Sequence, residues 1–298
     1  MGRQSQHTPI QITRHYSKAI PFKTCSTVWK INRISFFFLL PVRKKVAYNN
    51  LTLCFPEKNN EWKEYVIKNC YINLAINMME FLYLPVLNKN KESISRLVKF
   101  NNHHILDRSF LLSKGTFFLS GHISNWELNA FAYPKVFNQS LKIIAKVQAS
   151  KGLNGIINQY RTMSGNEIIQ IGYSLRKVYE MINKNEIVCF LLDQSANPDY
   201  SVYVNFFGQR VATFSGPARI ALKKRTGLIL CYGIRNSDYK YIVNFESIEY
   251  GDLIESNDNN TEVLTQRIQS GLERIIRANP EQWLWFHKRF KHVRPADV

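Results

Sequence analysis

The chain has 298 residues, enough for a sizeable core and, as a prior, one α/β domain behind an N-terminal extension. Forty Lys and Arg against twenty-two Asp and Glu leave a net charge of +18, which favours polyanions (nucleic acid, anionic lipid or an acidic protein) without choosing among them. Cys25, Cys54, Cys70, Cys189 and Cys231 are odd in number and lack Cys-x-x-Cys spacing, which argues against a zinc ribbon or a disulfide framework and for a reduced, cytosol-facing chain.

Residues 1–33 are polar and basic, and then Ile34-Ser35-Phe36-Phe37-Phe38-Leu39-Leu40-Pro41-Val42 forms an apolar run closed by Arg43-Lys44-Lys45. A spanning helix needs about 20 apolar residues, so this run is too short to cross a bilayer unaided. Basic flanks around aromatics suit a segment lying in the membrane interface, and the same pattern suits the start of a buried helix with solvated basic residues. No small-residue cleavage site follows, which argues against a removed signal peptide. Residues 1–60 are grouped as a basic extension with a short apolar interfacial segment, and 61–298 as the main domain.

From Trp62 to Leu87 the apolar residues keep helical spacing, and Pro85 ends or kinks the helix. Its apolar second half, with Met78, Met79, Phe81 and Leu82, is core or the wall of an apolar groove. Asn88 to Asn102 is rich in Lys and Asn and reads as a surface crossing before a short helix-like segment near His104 to Leu112. The adjacent His103 and His104 point different ways and make a poor metal pair. Gly115 to Ser120 is a short apolar run with two aromatics, a buried strand, and the chain then turns through Gly121-His122-Ile123-Ser124-Asn125-Trp126-Glu127-Leu128 into a helix.

That turn admits two readings. His122 at the mouth of the strand, with Glu127 lying back against it from the first helical turn, makes a general base suited to deprotonating a hydroxyl. Ser124-Asn125-Trp126-Glu127 is equally a capping box, in which Glu127 only ties off the helix.

Strand and helix signals then alternate. Strands are expected at 141–147, 167–171, 187–192, 201–207, 228–234 and 241–248, and helices at 153–163, 175–183, 217–225 and 261–278. The predicted fold is a single α/β domain whose largely parallel, twisted sheet is flanked by helices, with the last two strands forming an antiparallel edge hairpin around Asn236-Ser237-Asp238. Cys189 and Cys231 fall in apolar strand-like runs and read as buried thiols. Asp193 ends one strand on the same sheet edge as His122, or is a turn residue ahead of Asn197-Pro198. Ser215 caps a helix with Pro217 in its first turn. The tail Trp283 to Lys291 interleaves aromatics with basic residues, a pattern that stacks on single-stranded nucleic acid, sits at a lipid headgroup layer, or packs its Trp residues on one face of a strand or helix. No Gly-x-Ser-x-Gly elbow, Walker loop, Gly-x-Gly-x-x-Gly or His-Glu-x-x-His occurs.

Taken together, Gly121-His122 through Asn125-Trp126-Glu127, then Leu192-Asp193-Gln194, Phe206-Phe207-Gly208-Gln209-Arg210 and Pro280 to Lys291 resemble the lipid A late acyltransferase family, with Asn50-Leu51 and Phe55-Pro56-Glu57 similar to its upstream stretch. The resemblance implies a glycerol-3-phosphate acyltransferase-like fold, acyl-acyl carrier protein as donor and a hydroxyl of an anionic lipid A precursor as acceptor. It also implies a place at the cytoplasmic face of a bacterial inner membrane, with no nucleic acid, no cofactor and no metal. It assigns His122 as base, Glu127 as its orienting carboxylate, and Arg161, Asp193 and Arg210 to substrate. A thioester donor needs no enzyme nucleophile, because a thiolate leaves readily. The tail would then meet lipid headgroups. Two rivals stay open: transfer to another glycolipid or aminolipid, and a non-catalytic basic protein binding membrane or nucleic acid. The sequence departs from the usual pattern where Ile123 and Ser124 follow His122.

Overall fold

In the computed structural model, residues 43–107, 115–148, 150–171 and 174–294 are described. The apolar run at 34–42 and Cys25 lie outside them, as does most of the segment expected to be helical up to Leu112.

Side-chain caps from Asn59, Asn90, Asn125, Ser150 and Asn257 start five of the helices. α1 spans Lys44–Cys54 and α2 Asn60–Leu87; the Asn59 side chain accepts from the Trp62 N–H at the start of α2, and Pro85 is absorbed in its last turn. Next come α3 (Lys91–Leu97) and β1 (Val98–Asn101), where a surface crossing is expected from composition. The chain continues through β2 (Thr116–Ser120), α4 (Trp126–Phe137), β3 (Leu141–Ala145), α5 (Lys151–Thr162), β4 (Glu167–Gln170), α6 (Ser174–Asn183) and β5 (Ile187–Leu191). Then follow β6 (Ser201–Phe206), β7 (Gln209–Phe214), α7 (Gly216–Lys224), β8 (Gly227–Arg235), β9 (Tyr241–Ser247), α8 (Asp258–Ala278) and β10 (Val293–Arg294).

Seven strands form the main sheet in the order β1-β9-β8-β2-β5-β3-β4. The run from β8 to β4 is parallel throughout, as repeated β-α units dictate. β8 and β9 pair antiparallel, and β1 adds outside β9, parallel to it, so the hairpin lies one strand in from the edge. The segment 201–207 is not a strand of this sheet. β6 pairs antiparallel with β7, and β10 closes a second, three-stranded sheet. Phe207 and Gly208 join β6 to β7 with φ of 53° and 75°, the two positive values a tight hairpin turn requires. Glycine takes such a φ freely; Phe207 is held there by a 2.6 Å bond from its N–H to Glu273 and by ring contacts with Phe55 and Trp285.

Two apolar layers flank the sheet. Phe117, Leu119, Val188 and Leu230 face one layer with Leu264, Ile268 and Leu272 of α8 and with α1; the alternate residues Phe118, Ile187 and Ile229 face the other with Leu128 and Phe131 of α4 and with α3. α1 and the tail are tied together, because the Asn50 amide donates to the carbonyls of Trp285 and His287 at 2.8 Å each. α2 is long and apolar enough by length and composition to cross a membrane, yet Val66, Ile67, Cys70, Leu84 and Leu87 are buried against the rest of the chain.

Candidate active site

β2 lies centrally, between β5 and β8, so its carboxyl end opens where α/β folds place ligands. Gly121 follows it. A side chain there would stand 3.2 Å from the Asp193 carboxylate, so glycine lets Asp193, two residues beyond β5, press against the turn. Asp193 Oδ2 accepts the His122 backbone N–H at 2.7 Å and the Trp283 indole N–H at 2.7 Å, and Oδ1 lies 2.8 Å from His122 Nδ1. Burial alone raises a carboxyl pKa; here the His122 charge and the donated bonds outweigh it and bring Asp193 down to about 2. A carboxylate accepts, so Nδ1 carries the proton and Nε2 keeps its lone pair. Gln194 Nε2, 3.4 Å from that Nε2, is a compatible donor. Burial opposes a charge on His122, but Asp193 and its hydrogen bond prevail, with Glu127 adding and Arg161 opposing, so the imidazole pKa stands above its ordinary value.

Glu127, expected from its spacing to lie against the imidazole, is instead held by Arg161 of α5. Arg161 Nε donates to Oε2 at 2.9 Å and to Oε1 at 3.2 Å, and a terminal nitrogen donates to Oε1 at 2.5 Å. This is the forked geometry only a guanidinium gives. The capping box does not form either. Ser124 has φ 52° and its buried hydroxyl has no partner among the described residues, while Asn125 caps α4 by accepting the Leu128 N–H at 2.9 Å.

The turn is clamped from both sides. Asn77 of α2 donates to the Ser124 carbonyl at 2.5 Å, and Glu80 of α2 accepts from Asn125 at 2.7 Å and from the Tyr241 hydroxyl at 2.5 Å. Burial raises the Glu80 pKa, against Arg235 and these two bonds. Across the turn, the Ser124 N–H donates to Gln282 and the Leu284 N–H to the His122 carbonyl. No spacing rule announces Glu80 or Trp283 as site neighbours, although Trp283 stands in the motif Pro280 to Lys291.

His122, Trp126, Glu127, Arg161, Gln194 and Ser195 line the polar end of a cavity of about 610 Å³ whose remaining wall is largely apolar. The Ser195 hydroxyl is buried without a partner among the described residues. Cys189 and Cys231 are free thiols in the same wall. Met78, Met79, Phe81 and Leu82 do not line it; Met78 and Leu82 are exposed and Phe81 packs on Tyr160.

Arg210 does not join this group. It sits in β7, donating to Tyr203 and Glu262 at 3.4 Å each. Ser215 takes the cap position of α7 with no side-chain cap bond, and His103 and His104 are exposed. The tail does not offer its indoles to a headgroup layer: Trp283 and Trp285 are buried, and Arg289 is buried with bonds to Ala212, Thr213 and Gln269. Its aromatics pack on Phe55, Phe206 and Phe207, so the upstream, middle and terminal motifs form one support behind Asp193. Among the described residues no three His, Cys, Asp or Glu side chains gather as a metal site requires.

A family model described as bacterial lipid A biosynthesis acyltransferase matches residues 18–292. The chain belongs to this acyltransferase family. It is 21% identical over 257 residues to the lipid A biosynthesis myristoyltransferase of Escherichia coli K12, covering 86% of this chain and 77% of that one. It is 25% identical over 264 residues to the palmitoleoyltransferase of the same organism (85% and 80%) and 24% identical over 265 residues to its lauroyltransferase (86% and 81%). In this acyltransferase, three polar side chains that the resemblance assigns to the site, His122, Glu127 and Arg161, line one opening and Asp193 is buried behind His122; Arg210 stands apart.

Proposed function

We propose that this acyltransferase moves a fatty acyl group from acyl-acyl carrier protein to a hydroxyl of a lipid A precursor, at the cytoplasmic face of a bacterial inner membrane. The observation that carries the reading is the His122–Asp193 pair, 2.8 Å apart, at the polar mouth of an apolar cavity. His122 Nε2 takes the proton of the acceptor hydroxyl as its oxygen attacks the thioester carbonyl. The C–O bond forms, the C–S bond breaks, and the departing thiolate recovers the proton from the imidazolium. Asp193 fixes the tautomer and stabilises the imidazolium, a role the resemblance gave to Glu127. Gln194 and the Ser195 hydroxyl, which has no partner among the described residues, are donors at hand for the developing oxyanion. Arg161, steadied by Glu127, presents cationic charge where the acceptor is anionic.

The charge balance of +18 agrees, because an acyl carrier protein and a phosphorylated glycolipid are both acidic. The test is intact product mass after incubating membranes that carry the full chain with acyl-acyl carrier protein and a lipid A precursor. Native protein should add one acyl group, and His122→Ala, folded and membrane-associated, should be slower by on the order of 100-fold or more. Transfer only to a different glycolipid or aminolipid would move the acceptor assignment; equal rates for both proteins would remove His122 as base.

A further inference from the structure

The cavity is a slot with one polar end. One wall is the sheet face toward α4, where Phe118, Cys189 and Ile143 stand level with one another and Leu141 lies one step deeper, level with Ile187 and Thr116. The other wall is one face of α4, where Trp126, Ala130 and Tyr133 recur at helical spacing. Ala130 on the helix and Cys189 on the sheet are among the smaller of the lining side chains. The far end of the slot is aromatic. Tyr133 meets Phe118 edge-on with ring centroids 5.3 Å apart, and Phe100 meets Tyr133 at 6.1 Å. Tyr133, Phe118 and Leu141 are each at most 3% exposed, and the Tyr133 hydroxyl is tied to Gln139 at 3.0 Å, which pins the ring across the end.

We propose that this slot holds the donor's acyl chain, carbonyl at His122 and methyl end against Phe118, Tyr133 and Leu141, and that this floor sets the chain length transferred. The proposal rests on the acyl-transfer reading and extends it to the donor's chain. From Ser120 to the level of Leu141 is four residues of strand, about 13 Å. Extended hydrocarbon advances roughly 1.25 Å per carbon, given C–C bonds of about 1.5 Å, so the slot accepts about ten to twelve carbons. The relatives' names, lauroyl-, myristoyl- and palmitoleoyltransferase, show that chain length differs within the family.

The test measures binding and transfer separately, on the full chain. Non-transferable acyl amides of graded length are titrated by calorimetry; affinity should rise about fourfold per methylene and level off near twelve carbons. In Tyr133→Ala, which removes the floor ring, the plateau should move about two to four carbons longer, and in Ala130→Leu, which fills the middle, about as much shorter. The plateau is read within each preparation, so a partly folded variant still reports its position. Acyl-acyl carrier protein donors should show the same length preference in transfer. If the amides behave as stated and no donor transfers, the slot stands and the transfer reading fails. If native affinity climbs unbroken to sixteen carbons, or neither variant moves the plateau, the floor assignment is overturned.

Discussion

In the proposed reaction Asp193 is the deciding group at the scale of single residues. It is buried, yet accepts three hydrogen bonds within 2.8 Å, one from an indole at the far end of the chain. Trp283→Phe keeps the ring packing and removes one charge-assisted bond. Stability should fall by about 1.5–3 kcal/mol and turnover should drop while the far-ultraviolet spectrum is unchanged; full turnover would separate Trp283 from the site. Linkage gives two pH limits on the pair's stabilisation. The part due to Asp193 is present above its unfolded pKa of about 3.9 and is lost as pH falls through about 2; the part due to His122 is present below about 6.5 and is lost as pH rises through its raised folded pKa. Glu127 and Arg161 are mostly buried, so a double-mutant cycle on their alanine variants should give a coupling of about 1–3 kcal/mol, above the value of an exposed pair. Arg210→Ala should leave transfer within about twofold, since exposed pairs such as its contact with Glu262 are worth about 0–1 kcal/mol; a large loss would bring Arg210 back to the substrate. The sequence motif marks Glu127 and Arg161 for the site, but a five-residue spacing does not say which partner wins: α5 brings a guanidinium to Glu127 before the imidazole can reach it.

The outer motifs prove to be structural when followed element by element. Phe207 and Gly208 make the β6–β7 turn, Asn50 of α1 ties down the tail, and the tail delivers Trp283 to Asp193. Asn50→Ala should leave one buried and one partly buried carbonyl short of a donor, cost about 1–3 kcal/mol, and lower the melting temperature together with transfer activity. Unchanged stability would contradict the tie between α1 and the tail. The main strands and long helices were legible because their periodicity is local: the expected 217–225 and 261–278 helices appear as Gly216–Lys224 and Asp258–Ala278. β1 and β7 were not. β1 is four residues of mixed polarity, and β7 pairs with β6 through a turn set by Phe207 and Gly208, where no Asn-Gly or Asp-Gly signal marks a hairpin. The tail misled for another reason: interleaved Trp and Lys look interfacial until the fold supplies a buried acceptor for each indole.

At the scale of the molecule, the described residues form one α/β domain that uses its central strand's carboxyl end for polar groups and the space under α4 for an apolar slot. That division suits a substrate with a reactive head and a hydrocarbon tail. The charge of +18 points to acidic partners without choosing among them, whereas the slot needs Ala130 of α4 and Cys189 of β5 to line one cavity, which no single stretch records. The central claim, that His122 is a base set by Asp193, is tested most directly by the pH dependence of kcat/KM for transfer in native protein and in Asp193→Asn. A base must be neutral to accept a proton, so native activity should fall as pH drops through an imidazole pKa above about 6.5. In Asp193→Asn the carboxylate that raises that pKa is gone while burial, which lowers it, remains; the acid limb should move to lower pH and the maximum should fall by on the order of 100-fold. An acid limb at the same pH in both proteins, with comparable maxima, would contradict the account.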